Sequence, residues 1–155
     1  MDICALVISG LAFVLSLYQF LRESSRQKKE ATLNAYNELQ DDVFSYLSQY
    51  SKPMPEIEYQ GDMWKQMTVY LAKLERFSVG INTGIYSLCI LNHLGGAYYI
   101  HQFEKLKPII DRKRLENIVD GKHYDEFEKT VNKLKRLRAK RNCWFINARR
   151  FSGIV

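Results

Sequence analysis

The residues best suited to chemistry in this sequence are few and widely spaced. Zinc ligands occur at short spacings such as Cys-x-x-Cys or His-Glu-x-x-His, and neither pattern is present. An odd number of distant cysteines also argues against a disulfide framework and favours a reducing compartment. We therefore predict no metal site and no cofactor. The histidines and cysteines of the sequence are His93, His101, His123, Cys4, Cys89 and Cys143. Cys4 and Cys89 lie in apolar runs, where cysteine usually acts as a small hydrophobe.

The acidic residues form no catalytic pair. Adjacent acids such as Asp41-Asp42 and Asp125-Glu126 point about 100° apart on a helix, so neither pair makes a dyad. Glu75 lies within an apolar helical stripe. Three interpretations of this residue stay open: a buried functional carboxylate, an ion pair with Lys or Arg, and an exposed side chain. No Gly-x-Gly-x-x-Gly, Walker A or Gly-x-Ser-x-Gly motif is present. We predict a non-enzyme, with an unrecognised helical active site as an alternative.

Positive charge is concentrated near the C-terminus. From Glu128 to Arg150 there are nine basic residues and a single acid, Glu128. Three interpretations stay open: contact with anionic lipid, binding of a nucleotide or nucleic acid, and a solvated surface with no partner. The residues predicted to contact phosphate or anionic lipid are Lys133, Arg136, Lys140, Arg141, Arg149 and Arg150.

The N-terminal segment has the length and composition of a membrane anchor. Residues Ile3 to Leu21 (ICALVISGLAFVLSLYQFL) contain no formal charge. As a helix they would span about 28 Å, close to the ~30 Å hydrocarbon core of a bilayer. Basic residues follow this run at Arg22, Arg26, Lys28 and Lys29 and none precedes it. The positive-inside rule then predicts an N-terminus outside and a cytoplasmic C-terminal domain.

One side of this segment carries small or polar residues at heptad spacing. Small side chains let helix backbones approach each other in a bilayer, and Ser or Gln can form hydrogen bonds across the contact. We predict that the protein forms a homo-oligomer through this association seam, which consists of Ala5, Ser9, Ala12, Ser16 and Gln19.

The remainder of the chain has the pattern of a helical bundle. Proline (3) and glycine (8) are scarce, and apolar residues recur at helical spacing. We predict an all-α protein with one transmembrane anchor (residues 1–23) and a cytoplasmic domain (residues 24–155) of about four to five helices. Ser24 to Tyr50 is expected to be helical, either continuous with the anchor or restarting near Ser24-Ser25.

Specific residues predict the ends and faces of these helices. Asp62 is expected to be an N-cap, Gly80 and Gly84 to bracket a turn, Gly95-Gly96 to end a helix, and Pro108 to kink or end the next. A final helix is expected from about Tyr124. The predicted buried stripes are Leu33, Tyr36, Leu39, Val43, Leu47 and Tyr50, then Trp64, Met67, Leu71, Leu74 and Phe77, and finally Phe127, Val131, Leu134 and Leu137.

The run from Tyr70 to Leu137, with LAKLERFSVGINTGIYS and YDEFEKTVNKL, resembles an uncharacterised family of bacterial helical domains. In that family a membrane helix commonly precedes a bundle, and a glutamate precedes a Gly-Ile turn, matched here by Glu75, Gly80-Ile81 and Gly84-Ile85. The resemblance implies a membrane-anchored bundle and no known activity. The function expected is an interaction or sensing module with an unidentified protein partner, of which a bacterial defence effector is one form.

Overall fold

The computed structural model describes residues 3–49, 61–116 and 123–151, and the side chains of residues 8–49, 61–116 and 123–140. Within these ranges every regular element is helical and no strand occurs, so the all-α prediction is confirmed. The elements are α1 (Ile3–Leu39), a π-helical segment (Gln40–Phe44), α2 (Ser45–Ser48), α3 (Asp62–Asn82), α4 (Leu88–Glu116) and α5 (Asp125–Phe151).

Helix α1 continues without interruption from the apolar segment into the bundle. Ser24 and Ser25 are helical, so of the two alternatives the continuous helix is correct. The first fully buried side chain is Thr32, whereas Leu33 is exposed, which corrects the predicted stripe at that position. Thr32 Oγ1 donates to the carbonyl of Lys28 (2.6 Å) and accepts from the Ser87 N–H (2.8 Å), so its polar atom is satisfied inside the core.

Helix α3 presents the predicted apolar stripe to the core. Its members Trp64, Met67, Leu71, Leu74 and Phe77 are all buried. The stripe can form over about four turns because α3 contains no proline and each apolar residue returns to one face.

The predicted ends of α3 need two corrections. Asp62 is the first helical residue, and Gly61 occupies the N-cap position with no side-chain cap. Gly80 lies inside the helix, and the ring of Tyr86 packs so closely on it that a Cβ atom would overlap the ring. The turn comes later, at Gly84, whose positive φ of 80° favours glycine.

The predicted helix end at Gly95-Gly96 corresponds to a break in the helical backbone of α4. Gly95 has non-helical angles (φ −173°, ψ 34°), and a second helical segment follows this kink and runs to Glu116. A Cβ atom at Gly95 would overlap the hydroxyl of Tyr36, so glycine is what lets α1 approach α4 here. Pro108 lies within α4 and does not end it, because Leu106, Ile109 and other buried residues of α4 hold that part of the helix in the core.

Contacts along α1 and α4 show that these two helices run in the same direction. Thr32 is bonded to Ser87, at the start of α4. At the other end, the Lys105 ammonium donates to the Leu47 carbonyl at 2.6 Å. The end of the bundle from which the apolar part of α1 projects is therefore the end at which α4 begins.

Helix α5 runs in the opposite direction to α4. Arg114 near the end of α4 contacts Asp125 at the start of α5 (3.1 Å), and Asn92 near the start of α4 contacts Arg138 (3.1 Å). From Asp125 to Lys140, α5 therefore runs towards the end of the bundle from which α1 projects.

Aromatic packing holds α5 in the bundle. Phe127 is fully buried, and its ring makes edge contacts with Tyr99 and Phe103, each at 5.1 Å between centroids. Val131 and Leu134 continue the buried face, as predicted, while Leu137 is half-buried. The predicted residue Tyr50 lies outside the described residues.

Candidate functional site

The most unusual surface of the protein is the apolar part of α1. Every residue from Ile8 to Glu23 is exposed, and the large hydrophobic side chains between Ile8 and Leu21 are 49–70% exposed. They point in all directions around the helix, because the run has no charged face. Soluble proteins rarely expose contiguous apolar surface of this kind without a partner or a membrane to cover it.

The length and hydropathy expected of a membrane span are not reached by any helix among the residues whose side chains the structure describes. In α1 those residues start at Ile8. The predicted span starts at Ile3, so its first five side chains lie outside the described residues. From Ile8 to Leu21, the described portion is an exposed apolar helix.

The predicted association seam lies on this exposed helix. Ser9, Ala12, Ser16 and Gln19 are all exposed, and Ala5 lies outside the described side chains. Small residues at these positions leave a shallow surface along one side of α1, where a second helix backbone can approach closely.

Two of the basic residues on α5 are neutralised by acids of the bundle. Lys129 pairs with Glu126 at 2.6 Å, and Lys135 on α5 pairs with Glu104 on α4 at 2.9 Å. The hydrogen bond from each lysine is the main reason why the pKa of its glutamate partner lies below the ordinary value. Both pairs are solvent-exposed, so water screens them and they contribute little to stability.

Two others contact neutral amides, which leave their positive charges uncompensated. The Lys133 ammonium donates to Asn82 Oδ1 at 2.6 Å, and the Arg138 guanidinium donates to Asn92 Oδ1 at 3.1 Å. Asn82 also donates to Thr130 at 3.0 Å, so this amide joins α3 to α5. Sequence analysis did not identify Asn82, because a lone asparagine near a helix end has no distinctive pattern.

The remaining predicted basic contacts lie towards the C-terminal end of α5. Arg136 and Lys140 are exposed, and neither forms an ion pair with another described residue. The side chains of Arg141, Arg149 and Arg150 lie outside the described part of the chain. Uncompensated charge on α5 therefore increases towards the end of the bundle from which α1 projects.

Glu75 is half-buried and caps the N-terminus of α5. Its two carboxylate oxygens accept from the backbone N–H groups of Glu126 (3.1 Å) and Phe127 (2.7 Å). The residue that precedes α5 is Tyr124, in the left-handed region with φ of 65°, and its side chain has no acceptor suited to capping. Glu75 thus supplies from α3 the cap that α5 lacks in its own sequence, an arrangement that none of the three sequence interpretations included.

Replacing Glu75 with alanine is expected to lower the free energy of unfolding by about 2 kcal/mol, because two backbone donors lose a charged acceptor. Glu75→Gln keeps one acceptor and should fall between the wild type and the alanine variant. Chemical denaturation measures both values. Glu38→Ala, at an exposed acid on α1, is the matched control and should change stability by less than about 0.5 kcal/mol. Equal effects of Glu75→Ala and Glu38→Ala would contradict the capping role.

A groove lies where the π-helical segment faces the kink at Gly95. Its volume is about 490 Å³, within the size range of small-molecule sites. Burial raises the pKa of both Tyr36 and Tyr98, so their hydroxyls stay protonated and able to donate. π-helical segments are often found at functional sites. The groove is lined by Tyr36, Gln40, Asp41, Phe44, Ser45, Ser48, Leu94, Gly95 and Tyr98.

Lys105 is a buried lysine that sequence analysis did not single out. Only 6% of it is exposed, and burial lowers the pKa of its ammonium group. Its hydrogen bond to the Leu47 carbonyl places a positive charge at the C-terminal end of α2, where the helix dipole favours a cation. This geometry gives Lys105 a structural role in holding α2 against α4.

The histidines and the cysteine of the described chain are dispersed. His93, His101 and His123 are all exposed. Among the described residues no group of three or more His, Cys, Asp or Glu side chains is placed to hold a metal ion. Cys89 lies in an apolar run, and its side chain is free and exposed.

Together, fold and surface define an all-α bundle with one long helix that projects an exposed apolar segment. The chain belongs to the family described as "Domain of unknown function (DUF4760)", which matches residues 6–134. Neither a curated protein nor a solved structure matches it. The family match begins at residue 6, well before Tyr70, where the resemblance noted in the sequence begins. It includes most of the apolar segment and ends before the basic residues Lys135 to Arg150.

Proposed function

We propose that this protein is a single-pass membrane protein whose helical bundle acts as an interaction or sensing module on the cytoplasmic side. The observation that carries the proposal is the exposure of α1 around its whole circumference from Ile8 to Leu21. A protein partner would cover one face of such a helix, whereas lipid covers all of them.

The part of α1 that follows the apolar segment supports the same arrangement. Arg22, Arg26, Lys28 and Lys29 follow Leu21 directly, at the position where basic residues meet the cytoplasmic membrane surface. Thr32, the first fully buried residue among those whose side chains are described, lies eleven positions beyond Leu21. At 1.5 Å per residue, the bundle would stand about 16 Å from the hydrocarbon core.

Membrane fractionation of the full chain tests this proposal. The protein is expected to stay in the membrane pellet after alkaline carbonate extraction and to dissolve only with detergent. A reporter fused after Val155 is expected to be cytoplasmic. Recovery of the full chain in the supernatant without detergent would contradict the proposed anchor, and a reporter on the outer side would contradict its orientation.

We further propose that the association seam joins copies of α1 within the bilayer. Replacing Ser9 and Ser16 with leucine is expected to reduce self-association about tenfold in a membrane dimerisation assay, because bulkier side chains prevent close backbone approach. The matched control replaces Phe13 and Leu17, which lie off the seam, with alanine and should have little effect. Equal losses from both pairs would show that the seam has no special role.

A sensing role is favoured by a separate observation, the groove between the π-helical segment and the Gly95 kink. Its residues belong to α1, the π-helical segment, α2 and α4, so a ligand bound there would contact elements on both sides of the kink. Identifying small molecules that co-purify with the full chain, by mass spectrometry, tests this role. A bound molecule that is lost in Tyr98→Ala but kept in Tyr70→Ala would support it, and the absence of any bound molecule would favour a role in protein interaction alone.

A further inference from the structure

The groove between the π-helical segment and the Gly95 kink contains a buried hydroxyl group without a partner. Only 6% of Tyr36 is exposed, and its hydroxyl forms no hydrogen bond with the part of the chain that the structure describes. This hydroxyl lies against Gly95, where a Cβ atom would overlap it. A buried polar group without a partner costs free energy, so the Tyr36 hydroxyl indicates a site for a molecule that forms the missing bond.

The other hydroxyl groups of the groove have used their protons and keep their capacity to accept. The Ser45 hydroxyl donates to the Asp41 carbonyl, and the Ser48 hydroxyl donates to the Ser45 carbonyl at 2.7 Å. The Tyr98 hydroxyl donates to the Phe44 carbonyl at 3.4 Å. Each hydroxyl oxygen can still accept a hydrogen bond. The groove therefore suits a ligand that brings its own N–H donors.

The formal charge of the groove is negative. Asp41 carries this charge, and its carboxylate forms no ion pair with another described residue. Among the described residues that line the groove there is no Lys, Arg or His. Lys105 contacts α2 at the Leu47 carbonyl, but it is buried and does not line the groove. An anionic ligand would be repelled by the Asp41 carboxylate, whereas a cation would neutralise it.

Aromatic rings form the apolar wall of the groove. The ring of Phe44 contacts those of Tyr36 and Tyr98, at 5.7 Å and 5.1 Å between centroids, and is inclined to them by 58° and 85°. An ammonium group is attracted to the face of an aromatic ring within about 6 Å, and an apolar group packs against the same rings. The volume of about 490 Å³ leaves room for both parts of such a ligand.

We infer that this groove binds a small organic molecule with a primary ammonium group, held by the Asp41 carboxylate, the Tyr36 hydroxyl and the aromatic rings. The inference rests on the sensing role proposed for the groove and names the class of ligand that it senses. A nucleotide or another phosphate ester fits poorly, because the described lining offers no cation for its phosphate. A primary ammonium group matches both the negative charge and the free acceptors.

Three probes of similar size and different charge test the inference. Phenethylamine is a cation at neutral pH, 2-phenylethanol is neutral, and phenylacetate is an anion. Each probe is titrated calorimetrically into the full chain in mild detergent, with protein-free micelles as the blank. Phenethylamine is expected to bind about tenfold more tightly than 2-phenylethanol, because Asp41 and the aromatic rings favour the positive charge. Phenylacetate should bind most weakly of the three.

Single substitutions identify the groups involved. Asp41→Asn should weaken the binding of phenethylamine about tenfold and leave that of 2-phenylethanol unchanged. The matched control, Asp111→Asn at an exposed acid of α4 outside the groove, should change neither. Tyr36→Phe should weaken the binding of phenethylamine about fivefold without lowering the melting temperature, because the hydroxyl that it removes has no described partner. A lower melting temperature in Tyr36→Phe would contradict the role of this hydroxyl in binding.

The possible failures are distinguishable. Equal affinity for phenethylamine and 2-phenylethanol, or tighter binding of phenylacetate, would overturn the ammonium assignment and leave the groove as a ligand site. Binding of phenethylamine that Asp41→Asn does not weaken would place the amine elsewhere and overturn the inference. Failure of all three probes to bind would overturn the inference together with the sensing role. Carbonate extraction tests the membrane anchor separately, and its loss would not alter the result of the titration in detergent.

Discussion

Replacing Phe127 with alanine is expected to lower the free energy of unfolding by about 3–5 kcal/mol. The ring is fully buried and contacts Tyr99 and Phe103, so its loss leaves a cavity between α4 and α5. A loss of this size is a large fraction of the stability of a typical domain, about 5–15 kcal/mol. Helix α5 is expected to detach from the bundle, and its basic half would then lose its position relative to α1.

Denaturant unfolding in detergent, followed by circular dichroism, measures this effect. The matched control is Phe13→Ala, which removes the same side chain from a position that is 70% exposed on the projecting part of α1. It should leave the stability of the bundle within about 0.5 kcal/mol of the wild type. A loss below about 1 kcal/mol in Phe127→Ala would contradict the described packing of α5.

The double replacement of Leu11 and Leu15 with arginine is expected to release the protein from membranes. Each arginine near the centre of a membrane helix costs about 3 kcal/mol relative to leucine, so the pair shifts the partition towards water by about four orders of magnitude. Both side chains are exposed on α1, so the bundle itself should still fold. Carbonate extraction and circular dichroism measure these two properties.

The control for this release places arginine at exposed leucines outside the apolar segment. Leu33 and Leu115 are 41% and 76% exposed, and both lie beyond the predicted span. Leu33→Arg with Leu115→Arg should leave the protein in the membrane fraction. Release by this pair as well, or retention of the Leu11 and Leu15 variant, would show that the apolar segment is not what holds the protein to membranes.

The sequence predicted the helical class and most buried stripes because periodic apolar spacing depends only on local geometry. The stripe Trp64, Met67, Leu71, Leu74 and Phe77 is an example, since each residue faces the core as its position along one helix requires. The prediction that the chain belongs to an uncharacterised family was also correct, and the family match extends further along the chain than the quoted motifs.

The errors concern positions where a distant residue decides the local structure. Gly95 does interrupt the helical backbone, as predicted, but the sequence did not show that its missing side chain makes room for Tyr36, 59 residues earlier. Gly80 was predicted to border a turn. It lies within α3 instead, where the ring of Tyr86 packs on it. No pattern within one helix encodes such contacts, so a glycine alone cannot be assigned to a turn or to a close approach.

The candidate site also combines features that the sequence reveals with features that only the tertiary structure reveals. The exposed apolar helix and the basic α5 were recognisable from composition. The role of Glu75 was not, because the donors that it caps lie 51 and 52 residues further along the chain. The position of the basic helix relative to α1 also required the tertiary contacts of Asn92 with Arg138 and of Thr32 with Ser87.

The central claim is that the apolar part of α1 lies within a bilayer, and the most direct measurement is the depth of a spin label attached to it. A nitroxide is attached to Phe13→Cys or to Arg26→Cys in the full chain, with Cys4, Cys89 and Cys143 replaced by serine, and reconstituted in liposomes. At position 13 the label should collide with oxygen and be shielded from a water-soluble nickel chelate, whereas at position 26 the nickel chelate should reach it. Equal access of the nickel chelate at both positions would contradict the proposed membrane anchor.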